Sequence, residues 1–254
     1  MTPNPNALDA GQYTQDSIHK YEAIYGRNFI SPGGKATTLD ILALLDITPG
    51  MRVLDVGCGL GGAALLMAQE FGARVHGIDL SQNMLRLARQ RCQEAQQTGA
   101  VSFEHADILS YAPSLAYDLV HSRDAFLHIH EKERLFAALA RCLRPGGHVL
   151  FSDYLCAAGA PSPDFAAYIR ERNYHLCSVE GYRAHLAQAS FVVLRAEDRT
   201  ADFIAILERE LDQLQASRLP AHDRDELAQS WRAKLRRARA GEQRWGVFVG
   251  QKPS

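Results

Sequence analysis

Three imidazoles, a guanidinium and a carboxylate fall within one ten-residue stretch, "HSRDAFLHIH" (121–130), directly after the strand-like run Tyr117–Val120. Those residue types allow a metal site, a helix cap, a catalytic base or ordinary surface decoration. A metal pair would be His128-x-His130, but a zinc site takes three or four protein ligands and no third one stands out. An imidazole titrates near neutrality, so a base is chemically reasonable. A second stretch, "VLDVGCGLGG" (53–62), concentrates glycine behind an acid. Gly57, Gly59 and Gly61 permit a tight turn and close backbone approach to a nucleotide-like ligand. Gly57, Gly59 and Gly62 also satisfy G-x-G-x-x-G, the dinucleotide fingerprint. Asp55, two residues before the first glycine, is placed to meet a cationic amino-acid moiety. Asp79 ends "RVHGID" (74–79) and can accept both hydroxyls of a ribose. Asp107 ends "VSFEHAD" (101–107), where an exocyclic adenine amine would lie.

These side chains need a scaffold that brings strand ends together. Residues 15–26 and 33–46 read as helices, the second with Ile41, Leu42, Leu44 and Leu45 inward. "RVLDVG" (52–57) reads as a buried strand, followed by the helix "GAALLMAQEF". Ser81 is a plausible N-cap for the helix after the second strand. "YDLVHSR" (117–123) and "HVLFSDY" (148–154) are further strands, separated by a helix at 131–143 that Pro145-Gly146-Gly147 stops. Alternating strands and helices imply right-handed crossovers and a mainly parallel α/β sheet. Beyond 154 the pattern changes to two or three helices over 161–190, the strand "FVVLRAEDRT", helices over 201–240, and a last strand "RWGVFVGQK".

The bulk properties exclude several classes. A net charge of −1 over 254 residues gives no global attraction to nucleic acid or to a membrane surface. No apolar run approaches the ~20 residues a membrane span requires. The polar start "MTPNPNALDAGQ" lacks the pattern of a secretory signal. Five cysteines (58, 92, 142, 156, 177) are odd in number and without paired spacing, which reads as reduced thiols and a cytoplasmic location. One local asymmetry stands out: "WRAKLRRARAGEQRW" (231–245) carries six cations and one acid. It reads as a solvated helical face from which one or two cations reach an anionic ligand.

With acids at three successive strand ends, residues 50–155 resemble the class I S-adenosylmethionine-dependent methyltransferases. The resemblance implies a Rossmann-like, seven-stranded, mostly parallel sheet with helices on both faces and a reversed last strand. Further motifs narrow it. Gln12-Tyr13, Tyr21-Glu22, Ile30-Ser31 with Gly33-Gly34, Ser122-Arg123-Asp124-Ala125, Leu127-His128 and Asp153-Tyr154 all match. So do the Tyr168/Arg172/Tyr174 helix and the C-terminal Trp231, Lys234 and Gln243-Arg244-Trp245-Gly246. Together they resemble the phosphoethanolamine N-methyltransferases over nearly the whole chain. Pro32 and Cys58 stand where that family has serines.

The resemblance implies one methyltransferase domain over 1–254. Residues 1–48 would be a helical cap, 49–154 the S-adenosylmethionine-binding core, and 155–254 a substrate-binding insert with the C-terminal strands. It implies Tyr13 and His128 as the catalytic dyad, leaving His121 and His130 as surface or helix-start polar residues. Ile30, Ser31, Leu80, Ile108 and Arg123 would complete the cofactor site. Tyr154, Tyr168, Arg172, Tyr174 and Lys234 would hold a phosphate, with Gln12, Tyr21 and Asp124 also on the substrate. The expected reaction is successive N-methylation of phosphoethanolamine towards phosphocholine, releasing S-adenosylhomocysteine, without metal, by a monomer acting on a diffusible phosphobase. Another phosphorylated, phosphonate or amine acceptor is the alternative. A primary ammonium has a pKa of about 10, so such an enzyme must remove a proton and align nitrogen with the methyl group.

Overall fold

A computed structural model describes residues 14–254; Gln12 and Tyr13 lie outside the described residues. Among the described residues, seven strands form one sheet in the order β3-β2-β1-β4-β5-β7-β6. They are β1 (Arg52–Val56), β2 (Arg74–Asp79), β3 (Val101–His105), β4 (Tyr117–Arg123), β5 (Leu143–Cys156), β6 (Val192–Asp198) and β7 (Gln243–Gln251). The pairs β1–β2, β1–β4, β2–β3 and β4–β5 are parallel. β7 runs antiparallel to both β5 and β6, the reversed last strand that was expected.

Strict alternation in the central strands divides the core between the two faces of the sheet. Val53, Leu119, Val247 and Val249 belong to one cluster, and Leu54, Val120 and Phe248 to the other. Successive side chains of a strand point to opposite faces, so a strand covered on both must be apolar throughout, and β1 is buried from Val53 to Val56. Helices Gly62–Phe71 and Lys132–Cys142 supply apolar stripes to opposite clusters, with Leu65 and Met67 on one side and Leu135, Phe136 and Leu139 on the other. Burying a side chain such as Phe136 contributes roughly 1.5–3 kcal/mol.

Local chemistry sets the ends. Ser81 accepts from Met84 N at 3.1 Å and caps helix Gln82–Glu94, as its position predicted. The helix expected over 33–46 ends at Leu42. There the chain tightens, with Leu44 N and Leu45 N donating three residues back to Ile41 O and Leu42 O. Leu44 and Leu45 are therefore only half-buried. β5 starts at Leu143, five residues earlier than expected, and passes through Gly146 at φ +75°. The helix has already ended at Cys142, so Pro145-Gly146-Gly147, expected to stop it, lies within β5 instead.

The region after β5 supplies helices Pro163–Glu171 and Val179–Gln188, each capped by a serine: Ser162 accepts from Phe165 N and Ser178 from Gly181 N. Helices Thr200–Ala216 and Ala221–Arg239 pack on each other between β6 and β7. No helix among the described residues is long and apolar enough to cross a membrane.

One polar knot is sealed into the core. Tyr182 OH donates to Asp153 Oδ2, and the Tyr182 ring sits among Phe136, Phe151 and Phe248. Burial pushes the Asp153 carboxyl well above its ordinary range and pushes the nearby Lys132 ammonium down. Tyr182→Phe keeps the ring and removes the donor from a buried carboxyl, so it should lower stability by about 1–3 kcal/mol. Urea denaturation measures this, and an unchanged midpoint would show that the hydroxyl contributes nothing.

Candidate active site

In open parallel sheets, ligands bind outside the carboxyl ends of the strands. A cavity of about 300 Å³ opens there, lined from β1, β2, β4 and the loop at Asp107, and roofed by residues 28–32 and by the last long helix.

One half of the cavity is a carboxylate cradle. At Gly57 (φ +69°) an added Cβ would lie 2.5 Å from Ala125 Cβ, so only glycine lets the chain turn there. Gly59 N donates to Asp79 Oδ2 and Ser81 N to Asp79 Oδ1, both at 2.8 Å. Burial raises the Asp79 carboxyl while these backbone donors oppose the rise. Asp107 Oδ1 accepts from Leu109 N at 2.9 Å. Ile30 packs against Gly59, and Ser31, Leu80 and Ile108 share the lining. Gly61 does not line the cavity; it turns the chain (φ +78°) into helix Gly62–Phe71 and faces Phe103.

Asp55 and His121 are register partners on β1 and β4, and Asp55 Oδ1 lies 2.7 Å from His121 Nδ1. His121 is wholly buried, which corrects its reading as a surface or helix-start residue. The apolar strand alternation carries it inward, and Asp55 satisfies one ring nitrogen. Asp55 Oδ2 is buried at the cavity wall with no hydrogen-bond partner among the described residues. A buried carboxylate oxygen without a donor costs free energy, so this position suits a ligand ammonium.

Arg123, expected on the cofactor, lines the cavity, and its guanidinium is held by the segment above and by β5. It donates to Thr38 Oγ1 (2.7 Å), Pro32 O (2.9 Å), Gly34 O (3.4 Å) and Ser152 Oγ (3.5 Å). The next residue, Asp124, sits at φ +52°, an uncommon backbone region for a side-chain-bearing residue. Its Oδ1 accepts from Trp245 Nε1 at 2.8 Å and Ser152 Oγ at 3.0 Å. Its Oδ2 lies 3.5 Å from Arg123 Nη2 and has no hydrogen-bond partner among the described residues.

The other half is aromatic and cationic. His128 ends the one-turn 3-10 helix Phe126–His128, and Lys132 Nζ pins that turn by donating to Phe126 O (2.6 Å) and Ile129 O (2.8 Å). The Tyr174 ring meets the His128 ring edge-on at 5.3 Å. Burial, then Lys132 and His175, push the His128 imidazole down from 6.5 to about 4, so it is neutral at physiological pH. Tyr154, Tyr168 and Tyr174 form a ring cluster with centroids 5.8 and 6.5 Å apart. Arg172 lies over Tyr168 at 5.8 Å, and Lys234 over Trp231 at 4.1 Å. Burial pushes the Lys234 ammonium down to about 8, with Glu210 opposing. Tyr21 shares this wall. His130 is exposed beside His175, their Nδ1 atoms 3.3 Å apart. No group of three or more candidate metal ligands occurs among the described residues.

Two residues escaped the sequence reading. Arg237 stacks on Tyr168 at 3.9 Å, and Glu210 is buried beneath Trp231. Arg237 stands one helical turn from Lys234, a spacing that could have found it. Glu210 falls on the apolar stripe of its helix with Phe203, Leu207 and Leu214, an out-of-place acid that was equally visible.

Comparison with known proteins agrees with this geometry. A family model described as a methyltransferase domain matches residues 53–147. The chain is 43% identical over 252 residues to phosphoethanolamine N-methyltransferase 1 of Zea mays, covering 96% of this chain and 50% of that protein. It therefore spans about half the length of that plant relative. It is 33% identical to the phosphoethanolamine N-methyltransferase of Plasmodium falciparum, covering 96% of this chain and 95% of that protein. The solved structure of phosphoethanolamine N-methyltransferase 2 from Haemonchus contortus, in complex with phosphomonomethylethanolamine and S-adenosylhomocysteine, aligns at a TM-score of 0.93. That alignment has 34% identity and covers 98% of this chain and 60% of that one. A mycolic acid cyclopropane synthase shares the fold at a TM-score of 0.84 and 18% identity.

The His128 environment has a measurable consequence. In an NMR titration its ring should titrate with a midpoint of about 4. Lys132→Met should raise that midpoint, because removing a nearby cation eases protonation. The folded chain holds this proton more weakly than the unfolded one. Stability present above pH 6.5 is therefore lost as pH falls towards 4. A midpoint near 6.5 in the unmutated chain would contradict this account.

Proposed function

The chain belongs to the phosphoethanolamine N-methyltransferase family, and we propose that it transfers methyl groups from S-adenosylmethionine to the nitrogen of phosphoethanolamine and its mono- and dimethyl forms. The observation that carries this reading is the two-sided cavity, with unsatisfied carboxylate oxygens on Asp55 and Asp124 and the cations Arg172 and Lys234 among tyrosines in the same space. In this reading the chain works as a single domain and a monomer in the cytoplasm, on a small diffusible substrate.

The residues present fit the cofactor. Asp55 Oδ2 offers the acceptor that an α-ammonium needs, Asp79 offers two oxygens to a ribose, and Gly57 and Gly59 keep the wall free of side chains. Asp107 and Ile108 would border the adenine, with Ile30, Ser31 and Leu80 closing around it. When bound, S-adenosylmethionine supplies an electrophilic methyl group on a sulfonium.

The remaining work falls to side chains. Arg172 and Lys234 donate charged hydrogen bonds to the phosphate, and the hydroxyls of Tyr154, Tyr168 and Tyr174 add neutral ones. Asp124 Oδ2 accepts from the substrate ammonium, fixing the nitrogen end. His128, neutral in its buried position, accepts the proton that the nitrogen must lose. Burial takes Lys234 from 10.5 to about 8, and an amine entering the same cavity meets the same desolvation. Its proton thus becomes easier to remove. Once the nitrogen carries three methyl groups the cation is permanent, and tyrosine faces accommodate it. Tyr13, in this reading, completes the dyad with His128, and Gln12 and Tyr21 border the substrate.

Mass-resolved products from purified protein, S-adenosylmethionine and phosphoethanolamine test the reading, with phosphonate and free-amine acceptors run alongside. His128→Ala should lower kcat by roughly 100-fold or more while S-adenosylhomocysteine still binds. Arg172→Ala should raise the KM for the phosphobase by about tenfold or more with a smaller change in kcat. Unchanged kinetics in His128→Ala, or methylation of the free amine in preference to the phosphobase, would overturn the assignment.

A further inference from the structure

Glu210 is a buried carboxylate that the chemistry above does not use. Only 3% of its surface is exposed, and it sits on the apolar stripe of helix Thr200–Ala216. Both oxygens are engaged, each with a different half of the site. Oε1 accepts from Gly33 N at 2.7 Å. Gly33, at φ +74°, opens helix Gly34–Leu42 and directly follows the Ile30–Pro32 segment that covers the glycine cradle. Oε2 accepts from Trp231 Nε1 at 2.8 Å, and that indole carries Lys234 on its face at 4.1 Å. One side chain therefore touches the support of the cofactor side and the support of the phosphate side.

We propose that Glu210 is a positioning residue that holds the 30–33 turn over the cofactor and keeps Lys234 seated and charged for the phosphate. The proposal rests on the phosphobase reading of the cavity. Two N–H donors from separate elements, each meeting its own oxygen, suit a carboxylate, which offers two acceptor oxygens and, when ionised, no hydrogen. A glutamine in its place would turn an NH2 towards one of the two donors. The charge matters as well as the shape. Lys234 faces Glu210 and Asp124 as anions and Arg172 and Arg237 as cations. Glu210 in turn faces Arg123 from the end of β4, and the Tyr25 hydroxyl from the first helix lies close to it. With two guanidiniums near Lys234, removing Glu210 leaves Asp124 to oppose them, and the ammonium gives up its proton more readily. Anion binding then weakens at a lower pH.

The test uses the full chain and two variants, Glu210→Gln and Trp231→Phe, with S-adenosylhomocysteine and phosphocholine titrated calorimetrically between pH 6.5 and 9. In Glu210→Gln the affinity for phosphocholine at pH 8 should fall about tenfold, and the pH at which that affinity halves should move down by about one unit. S-adenosylhomocysteine should bind several-fold more weakly. Trp231→Phe leaves Gly33 its acceptor, so it should weaken phosphocholine and spare S-adenosylhomocysteine; it also carries the test if Glu210→Gln fails to fold. Unmutated protein that binds phosphocholine while Glu210→Gln matches it in both affinities overturns this proposal alone. Weaker binding of both ligands with no change in the pH midpoint also overturns it, because a purely structural role predicts that result. Unmutated protein that binds no phosphocholine overturns the phosphobase reading, and the proposal falls with it.

Discussion

The roof of the cavity stays on the sheet because a guanidinium has been buried at the carboxyl end of β4 and the cap supplies most of its partners. Taking an ion out of water costs several kcal/mol unless hydrogen bonds and a countercharge replace the solvent. Arg123 finds Pro32 O, Gly34 O and Thr38 Oγ1 above it and the Asp124 carboxylate beside it. Burial lowers its pKa and Asp124 opposes that fall. The geometry suits arginine in particular, since a planar fork can reach several acceptors at once whereas an ammonium presents all its donors from one atom. Residues 32–38 are drawn down onto β4, and Ile30 and Ser31 are carried over the glycine loop with them. Arg123 thus lines the cavity and also holds the segment that carries Ile30 and Ser31.

Arg123 does not act alone, because Ile24, Tyr25, Ile41 and Leu42 also bury the cap in the main core cluster. Glu210, from helix Thr200–Ala216, binds the same turn at Gly33. Between them the two ion sites grip consecutive residues of one turn, Pro32, Gly33 and Gly34. Neither contact is strong evidence of net stability, because buried charges roughly offset their desolvation. Their value lies in geometry: each charge can be satisfied by one arrangement of the cap.

How much of this could be read from sequence follows from the distances involved. The strands of the first half were legible because a parallel sheet covered on both faces makes its strands read as continuous apolar runs, and β1 is such a run. Asp79 and Asp107 were legible because they stand at or just past the ends of β2 and β3. His121 was not: its role depends on lying opposite Asp55 across the β1–β4 register, 66 residues away. The cap partners of Arg123, Pro32, Gly34 and Thr38, are 85 to 91 residues distant, and Gly33 is 177 residues from Glu210. No local pattern encodes such pairings, although the misplaced acid on the stripe of helix Thr200–Ala216 announced that a partner had to exist. The overlong 33–46 helix failed for a different reason. Leu44 and Leu45 fit the helical period, but a tightened turn also half-buries them, and periodicity cannot tell the two apart.

Desolvation links the chemistry to this architecture, because it acts in opposite senses on acids and bases within one cavity. It raises the hydroxyls of Tyr154 and Tyr168, so they remain donors. It lowers His128 to about 4, so that imidazole remains an acceptor. It lowers Lys234 to about 8, which leaves the ammonium charged at neutral pH but with little to spare. The tyrosines and His128 are thus kept neutral, with Arg172 and Lys234 as cations in the same cavity. On the phosphobase reading proposed above, a ligand bearing a phosphate at one end and an amine at the other would bring each wall its countercharge, and would lose its own hydration in doing so. Such a site discriminates by charge placement more than by shape. A molecule with only the amine leaves Arg172 and Lys234 facing each other, and one with only the phosphate leaves the Asp124 oxygen without a donor.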